Sequence, residues 1–542
     1  MFSEPVIGEK FFGRDEVLDL LSKRVCALKD GYRQNIALTG QSLAGKTSIL
    51  HHFLYSIKDE DFITVYMEVV KESFKSFSKR FLATLLYNAF AKSGEKASFK
   101  LDDLLERARE SLPGTYGAIK QINSHIDSGN TEEAYYNLLN LTSVLKEEIK
   151  RSCVVILDEF DNLEYIGVKN PFLNFGKIIM VQKDTMYVVS SSRNQVIKRI
   201  LSEKLSLLFG NFEIVRIAGF DIETARLFVE TRLGGFEIDD GLKNFIISLT
   251  DGNPFYLNNI VRRVKELSYE RMSNHINGEV VCQAIMDLVY SANGVIHQYL
   301  LNFILSLIDS RNKDRCISIL CAIANGHNRL GAIAKTMKAK QSDISKELCA
   351  LADLGLVSKS GVFYSVDDAM LAFWLKYVYD KRRSLLVDGL LNRAELYSED
   401  LRSYLAEFMS QASKGIIAKV GELFNSFSND LVEIDSRRLR MPHFTKVEVV
   451  ESKEARHFAV ATFRGSSWIV QPYEKRVVES DIIDYIRNIK SKNYKAANKI
   501  IIALRGIDDN ARLLAKELKI SLWNIETFNN LLTFYGLKKT VI

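Results

Sequence analysis

Residues 40–48 of the chain, GQSLAGKTS, combine two glycines with a lysine and hydroxyl side chains at a fixed spacing. They satisfy the pattern G-x-x-x-x-G-K-[ST], in which backbone N–H groups curl around phosphate oxygens at the positive end of the next helix. In this pattern Lys46 reaches the β- and γ-phosphate oxygens, and the Thr47 hydroxyl binds Mg²⁺. The sequence therefore predicts a nucleotide site made of Gly40, Gln41, Ser42, Leu43, Ala44, Gly45, Lys46, Thr47 and Ser48.

Acidic residues follow a run of aliphatic residues in VVILDEFD, residues 154–161. Asp158, at the end of the predicted strand, is suited to bind Mg²⁺ directly or through water. Glu159 is suited to orient the attacking water and to take its proton, which the phosphate loop cannot do. An acidic pair after a strand is often only a solvated turn, but the preceding phosphate loop favours the catalytic interpretation. An acid directly after the Mg²⁺ aspartate also fits a class of ATPases in which an additional strand lies between the strand of the phosphate loop and the strand of the acids. That class predicts the strand order 5-1-4-3-2.

Two further segments suit contacts with the nucleotide. Residues 190–193, SSSR, end a predicted strand, where a polar group can sense the γ-phosphate and Arg193 can neutralise charge in the transition state. The alternative is a helix cap followed by a surface arginine. Residues 252–254, GNP, can place a rigid turn with Pro254 against the adenine, or they form only a turn that breaks a helix.

The elements that must position these residues alternate between strand-like and helix-like runs over residues 1–220, as a parallel α/β sheet requires. A long amphipathic stretch within this region predicts a helical insertion at about 93–150. The predicted strands cover residues 35–40, 62–69, 153–161, 186–193 and 212–220.

The rest of the chain divides into three predicted parts. Helical periodicity over 221–308 predicts a helical lid. Three helices and a hairpin that turns at Ser360-Gly361 predict a winged helix-turn-helix domain over 309–380. After a linker at 381–389, helices and strand-like runs predict a second, smaller α/β domain within 381–542.

The motifs occur in the order FFGRDEVLDLL (11–21), GQSLAGKTS, VVILDEFD, SSSR and DGNPFYL. This arrangement resembles the prokaryotic "archaeal ATPase" family, a branch of the STAND-type NTPases related to AAA+ proteins, over about residues 8–380. The resemblance implies ATP and Mg²⁺ as ligands. It also implies that Phe12, Gly13 and Arg14 lie near the base, that Arg193 contacts the γ-phosphate, and that the turn with Pro254 touches the adenine side.

The C-terminal part resembles the nuclease-like module that is often appended to these ATPases, which has the PD-(D/E)-x-K fold. That chemistry needs two acids to hold Mg²⁺ and a lysine to steady the attacking water. Alignment places Ala459, Gln471 and Tyr473 at the three positions, while Glu474 and Lys475 follow out of register. We therefore expect a module that binds without cutting.

Composition and charge narrow the candidate partners. Six scattered cysteines, the lack of a secretory signal and the lack of a long apolar run predict a cytoplasmic protein with no membrane contact. The net charge is +6, but residues 381–542 carry 27 basic and 20 acidic side chains, which suits double-stranded DNA or merely a solvated surface. Lysines at 335, 338, 340, 346 and 359 suit either DNA contact or a clamp on the nucleotide domain.

These observations predict a slow ATPase that acts as a regulatory switch and couples nucleotide state to a DNA or protein partner. One alternative is an ATP-dependent DNA-binding factor in which hydrolysis only resets the complex. Another is an ATP-regulated DNA nuclease. A homo-oligomer remains open.

Overall fold

The computed structural model describes residues 4–57, 62–91, 100–205, 212–308, 312–384, 393–434, 437–451, 457–491 and 496–541. The chain divides into two compact units. The first unit comprises Met1–Gly219 and Asp353–Gly355, and the second comprises Phe220–Ala352 and Leu356–Ile542. No helix in these described ranges is long and apolar enough to cross a membrane.

The first unit alternates strands and helices. In chain order its elements are α1 (Asp15–Lys29), β1 (Asn35–Gly40), α2 (Lys46–Ser56), β2 (Phe62–Glu68), α3 (Phe74–Phe90), α4 (Leu101–Ser111), α5 (Pro113–Asp127), α6 (Thr131–Ile149), β3 (Ser152–Asp158), α7 (Pro171–Val181), β4 (Thr185–Ser191), α8 (Asn194–Arg199) and β5 (Phe212–Ile217).

The five strands form one parallel sheet in the order β2-β3-β4-β1-β5. Read from the other edge this is 5-1-4-3-2, so the predicted order is confirmed. Two separate apolar clusters include side chains from alternate positions of the strands, and helices contribute to both clusters. Burial on both faces explains why the central strands are continuous apolar runs. Because all strands are parallel, the phosphate loop after β1 and the acids after β3 lie at the same edge of the sheet.

The helical insertion packs into the core of the first unit. Residues 92–99, at its predicted start, lie outside the described residues, and the described part consists of α4, α5 and α6. Apolar side chains of all three helices join the cluster on one face of the sheet. The Glu148 carboxylate accepts hydrogen bonds from the backbone N–H groups of Gly114 (2.8 Å) and Thr115 (2.9 Å), and so caps α5.

The second unit begins with helices and ends with a sheet. In chain order its elements are α9 (Ile222–Leu233), β6 (Glu237–Ile238), α10 (Asp240–Thr250), α11 (Pro254–Glu270), β7 (His275–Ile276), α12 (Gly278–Ile285), α13 (Val295–Leu307), α14 (Lys313–Ala324), α15 (Leu330–Thr336), α16 (Gln341–Asp353), β8 (Val357–Ser360), β9 (Phe363–Val366), α17 (Ala369–Trp374), α18 (Asp380–Ser384), α19 (Arg393–Ala412), α20 (Ile416–Asn425), β10 (Asp430–Ile434), β11 (Arg437–Met441), β12 (Lys446–Glu451), β13 (His457–Phe463), β14 (Ser466–Tyr473), α21 (Glu479–Ser491), β15 (Ala496–Ala503), α22 (Asp509–Glu517), β16 (Ile520–Asn524) and α23 (Ile525–Phe534).

The C-terminal sheet has the order β12-β13-β14-β15-β16. Its first three strands are antiparallel and its last three are parallel, with α21 and α22 as the crossovers. The sequence did not predict the hairpin β10–β11 or helix α21. The predicted linker at 381–389 begins within helix α18, and residues 385–392 lie outside the described residues.

The hairpin β8–β9 packs against the C-terminal part of the same unit. The backbone N–H of Val362 donates to the carbonyl oxygen of Leu431 at 2.9 Å. The Phe363 ring stacks on Phe534 with the centroids 5.3 Å apart, and it belongs to the same apolar cluster as the C-terminal sheet. At the turn, a Cβ atom on Gly361 would lie 1.9 Å from the carbonyl oxygen of Leu431. The hairpin and the C-terminal sheet therefore share one core.

Candidate functional site

The phosphate loop runs from the end of β1 to the start of α2. Gly45 and Leu43 have positive φ angles of 96° and 60°, which turn the loop back on itself. A Cβ atom on Gly40 would lie 2.1 Å from the carbonyl oxygen of Ile217, so β1 can approach β5 only with glycine here. Ser48, in the first turn of α2, accepts a hydrogen bond from the backbone N–H of Val6 at 3.1 Å. The loop is thus shaped by its glycines and held from outside by the N-terminal segment.

Lys46 is 4% exposed and lies inside the loop. Its Nζ atom donates to the carbonyl oxygens of Gly40 (3.0 Å) and Gln41 (2.9 Å) and to the hydroxyl of Ser192 (3.0 Å). Burial lowers the pKa of Lys46, while Glu159 and other nearby carboxylates favour its charged form. These three acceptors are neutral, so phosphate oxygens, which are charged, would make stronger hydrogen bonds with the ammonium.

The Asp158 carboxylate accepts hydrogen bonds from four different residues. Its Oδ2 atom accepts from the hydroxyls of Thr47 (2.7 Å) and Tyr66 (3.0 Å). Its Oδ1 atom accepts from the Ser190 hydroxyl and from the backbone N–H of Glu159 (3.1 Å). A carboxylate beside a hydroxyl is a set of hard oxygen atoms, which is the chemistry that Mg²⁺ prefers. The residues present therefore fit Mg²⁺, with Asp158 and Thr47 as the groups that would hold it.

Glu159 has a positive φ of 51° at the turn directly after β3. Its Oε1 atom accepts a hydrogen bond from the Ser192 hydroxyl at 2.6 Å. Burial raises the pKa of Glu159, while Lys46 and the bond from Ser192 act in the opposite direction. Ser192 accepts from Lys46 and donates to Glu159, so one hydroxyl connects the lysine of the phosphate loop to the candidate base.

Arg193 directly follows Ser192 and precedes helix α8. Its guanidinium forms an ion pair with Asp161, whose side chain is 1% exposed, and lies 3.3 Å from the Asn162 side-chain oxygen. The backbone N–H of Arg193 donates to the Ser191 hydroxyl at 3.0 Å. The structure therefore places Arg193 beside the turn that follows β3. Its contact with the γ-phosphate stays a prediction.

The N-terminal segment lies against α2. The Arg14 guanidinium donates to the carbonyl oxygens of Ala44 (3.2 Å) and Ala218, so it holds the phosphate loop beside the end of β5. Phe11, the neighbour of the predicted Phe12, stacks on the His52 ring with centroids 4.1 Å apart and planes 7° apart. Gly13 and Arg14 both have positive φ angles before α1 begins. The predicted contact of Phe12, Gly13 and Arg14 with the base stays a prediction.

Pro254 is the first residue of α11 and belongs to the second unit. The side-chain oxygen of Asn253 caps this helix by accepting from the backbone N–H of Phe255 at 3.0 Å. Gly252 has a φ of +70°, and a Cβ atom there would lie 2.2 Å from the carbonyl oxygen of Phe220. This turn therefore needs glycine for the fold of its own unit, and the predicted adenine contact stays a prediction.

The sequence did not indicate a role for Tyr66, and it did not show which of the three serines at the end of β4 contacts which partner. The alternation of FITVYME assigns Tyr66 to the same strand face as Glu68, whose backbone pairs with Asp158. That pattern places an aromatic side chain with a polar tip near the acids. The serines differ in partner: Ser190 bonds Asp158, Ser191 caps Arg193, and Ser192 bonds Lys46 and Glu159.

The alignment of the C-terminal part with a nuclease site needs a correction. Ala459 and its neighbour across the strands, Val470, lie in the apolar cluster on one face of the sheet. Tyr473 lies in the cluster on the other face, and alternation places Gln471 there too. The aligned residues therefore do not share a face. Lys475, the basic residue just after β14, forms an ion pair with the buried carboxylate of Asp481 at 3.0 Å.

The fold and the site together define a P-loop ATPase domain. The family described as an ATPase domain predominantly from Archaea matches residues 11–260, so this part of the chain is similar to that family. The resemblance inferred from the motifs is thereby confirmed for the ATPase region. No curated protein matches the chain.

Solved structures that are similar to this chain include a Walker-type ATPase, an ORC2 protein and a RuvB branch migration motor. The Walker-type ATPase paby2304 of Pyrococcus abyssi has a TM-score of 0.49 and 17% identity, covering 69% of this chain and 99% of that chain. The ORC2 protein of Aeropyrum pernix has a TM-score of 0.43 and 11% identity, and the match covers 75% of this chain and 98% of that chain. The RuvB branch migration motor of Thermotoga maritima has a TM-score of 0.34 and 15% identity, and the match covers 68% of this chain and 96% of that chain.

Proposed function

We propose that this ATPase is a slow nucleotide-driven switch of the STAND/AAA+ type, which couples the bound nucleotide to the binding of a partner. The observation that carries the proposal is the chain of hydrogen bonds from Lys46 through the Ser192 hydroxyl to Glu159. Ser192 is followed directly by Arg193 and helix α8. A change in what Lys46 binds is therefore passed to the candidate base and to the start of a helix.

The residues divide the work of hydrolysis among them. Lys46 and the N–H groups of the loop bind the β- and γ-phosphates. Asp158 and Thr47 would hold Mg²⁺, which supplies positive charge to the same phosphate oxygens when it is bound. Glu159 orients the attacking water and accepts its proton, for which the carboxylate must be ionised. When phosphate oxygens take the ammonium of Lys46, Ser192 loses that donor and keeps its bond to Glu159.

Double-stranded DNA is the partner that the charges of the second unit favour. The five lysines around α15, α16 and the hairpin are all exposed, and within the ranges described none of them forms an ion pair. The Lys359 ammonium lies 5.5 Å from the centre of the Tyr364 ring, at the hairpin that packs against the C-terminal sheet. We therefore propose that the helices, and less so the hairpin, supply phosphate contacts. The five are Lys335, Lys338, Lys340, Lys346 and Lys359.

The experiment compares ATP hydrolysis with and without duplex DNA and measures DNA affinity by fluorescence anisotropy over a salt series. The Glu159→Gln variant keeps the shape of the side chain but cannot accept a proton, so it should bind ATP and fail to hydrolyse it. We expect this variant to bind DNA differently in ATP and in ADP. The coupling to DNA would be rejected if the variant binds DNA equally well in ATP and in ADP, and if DNA does not change the rate of ATP hydrolysis by the unaltered protein.

A paired set of lysine variants locates the DNA contact. Each phosphate contact that is lost lowers the dependence of affinity on salt by about one unit of slope, so Lys338→Gln with Lys340→Gln should lower it by about two. Lys359→Gln should change the slope less. Unchanged slopes in all variants would favour the alternative, in which this part clamps the nucleotide domain.

The mass of the protein in solution, measured with and without ATP in the same preparation, tests whether the protein forms a homo-oligomer.

A further inference from the structure

We infer that Tyr66 is a positioning residue for Asp158, fixing the orientation of the carboxylate that would hold Mg²⁺. This inference rests on the proposed function, because it assigns to Asp158 the role of metal ligand. Tyr66 lies outside the phosphate loop and outside the acidic motif, on strand β2. It would act through Asp158 and not by contact with the nucleotide.

The register of the sheet explains how the phenol reaches the carboxylate. Strand β2 pairs with β3 so that Tyr66 lies opposite Ile156 and Glu68 lies opposite Asp158. Two residues of strand span about 6.6 Å, which is within the length of a tyrosine side chain that leans along the strand. The Tyr66 hydroxyl ends 3.0 Å from the Oδ2 atom of Asp158.

The Tyr66 ring is itself held by helix α2. The His51 ring packs against it with centroids 4.4 Å apart and planes 53° apart. His51 follows Thr47 by four residues, so the two side chains lie on the same face of the helix. Thr47 also donates to the Oδ2 atom of Asp158, at 2.7 Å. One helix face therefore positions both donors to that oxygen.

The other oxygen of the carboxylate is bound from the opposite side. Its Oδ1 atom accepts from the Ser190 hydroxyl at the end of β4 and from the N–H of Glu159. With both oxygens bound, the carboxylate cannot rotate freely about its last bond. If the Thr47 hydroxyl turns its oxygen to Mg²⁺, Tyr66 is the donor that stays on Oδ2. Loss of such an outer partner typically lowers metal affinity about 10-fold to 100-fold.

The test is Tyr66→Phe, which removes the hydroxyl and keeps the ring that packs on His51. The measurement is the affinity for a fluorescent ATP analogue over a Mg²⁺ series, which gives the Mg²⁺ concentration that produces half of the full increase in affinity. The affinity for the same analogue in EDTA is the second readout. We expect the required Mg²⁺ to rise about 10-fold, while affinity in EDTA is unchanged. The matched control is Tyr135→Phe, because that hydroxyl is buried in the helical insertion and has no hydrogen-bond partner in the described part of the structure.

Three outcomes separate the inference from the proposed function. If Asp158→Asn raises the Mg²⁺ requirement but Tyr66→Phe behaves like Tyr135→Phe, the positioning role is wrong and the metal site stands. If Asp158→Asn has no effect either, the proposed metal site fails and the inference fails with it. If Tyr66→Phe weakens binding equally in EDTA and in Mg²⁺, Tyr66 supports the fold in general, which also overturns the inference.

Discussion

The ammonium of Lys46 lies 3.0 Å from the hydroxyl oxygen of Ser192, although the two residues are 146 positions apart in the chain. The contact forms because β4 lies directly beside β1 in the sheet, so the ends of the two strands meet. It gives the lysine of the phosphate loop a protein partner that also binds Glu159. A bound phosphate would therefore compete with the Ser192 hydroxyl for the ammonium of Lys46.

Replacing Lys46 by alanine should weaken ATP binding by about 10-fold to 100-fold, since a hydrogen bond to a charged group contributes about 1.5–3 kcal/mol. Isothermal titration with ATP and Mg²⁺ measures the effect. Lys23→Ala, which removes an exposed lysine from α1, is the matched control and should bind as the unaltered protein does. Undiminished ATP affinity in Lys46→Ala would mean that the nucleotide binds elsewhere.

Replacing Ser192 by alanine should change the pH dependence of hydrolysis. Burial raises the pKa of Glu159, and the hydrogen bond from Ser192 opposes that rise by stabilising the carboxylate. As the pH falls through this pKa the base becomes protonated, so activity is lost on the acid side. Without Ser192 the pKa rises further, and the acid limb of kcat should move to higher pH. An acid limb at the same pH in both proteins would show that Glu159 is not the titrating base.

Removing Arg193 should first of all destabilise the first unit. Arg193→Ala leaves Asp161 as an unpaired carboxylate that is 1% exposed, and such a loss typically costs about 3 kcal/mol or more. The double variant Arg193→Ala with Asp161→Asn removes the stranded charge and should recover most of this stability in thermal unfolding. If Arg193 also contacts the γ-phosphate, the double variant should hydrolyse ATP more slowly than the unaltered protein, although it binds ADP normally. Normal hydrolysis would make Arg193 a structural residue.

A methyl group at Gly361 should break the packing of the hairpin β8–β9 on β10. Its Cβ atom would lie 1.9 Å from the carbonyl oxygen of Leu431, and φ is +62°. Gly326→Ala is the matched control, because φ is +92° there and no atom lies within 4 Å. Backbone strain alone costs about 1–2 kcal/mol, so the control reports that share and Gly361→Ala should lose more stability in calorimetry. Equal losses would argue against the shared core.

The protein should bind DNA without cutting it. The aligned positions in the C-terminal sheet hold Ala459 and Gln471 on opposite faces, and neither side chain supplies the negative charge that a divalent metal needs. Incubation with supercoiled DNA in Mg²⁺ or Mn²⁺ should leave it intact. Nicking that is lost in Glu474→Ala or Lys475→Ala, but kept in Lys46→Ala, would reveal a nuclease site that has moved along the strand.

The sequence by itself determined the shape of the phosphate loop and the order of the strands. The residues of the phosphate loop are neighbours in the chain, so their spacing alone encodes the geometry that phosphate binding needs. The acids at 158 and 159 directly follow an apolar strand, and their position at its end placed them at the edge where the loop lies. The order 5-1-4-3-2 followed from the same pair of acids.

Only the tertiary structure decided which side chains meet across the sheet. Ser192 reaches Lys46, Tyr66 reaches Asp158, and Arg193 pairs with Asp161 because their strand ends are adjacent, a relation that depends on pairing and register. Register likewise separated Ala459 from Gln471, since a shift of one residue moves a side chain to the other face. The hairpin at Gly361 joined the C-terminal core through contacts between segments about 70 residues apart. No local pattern encodes such contacts, because each depends on where another part of the chain lies.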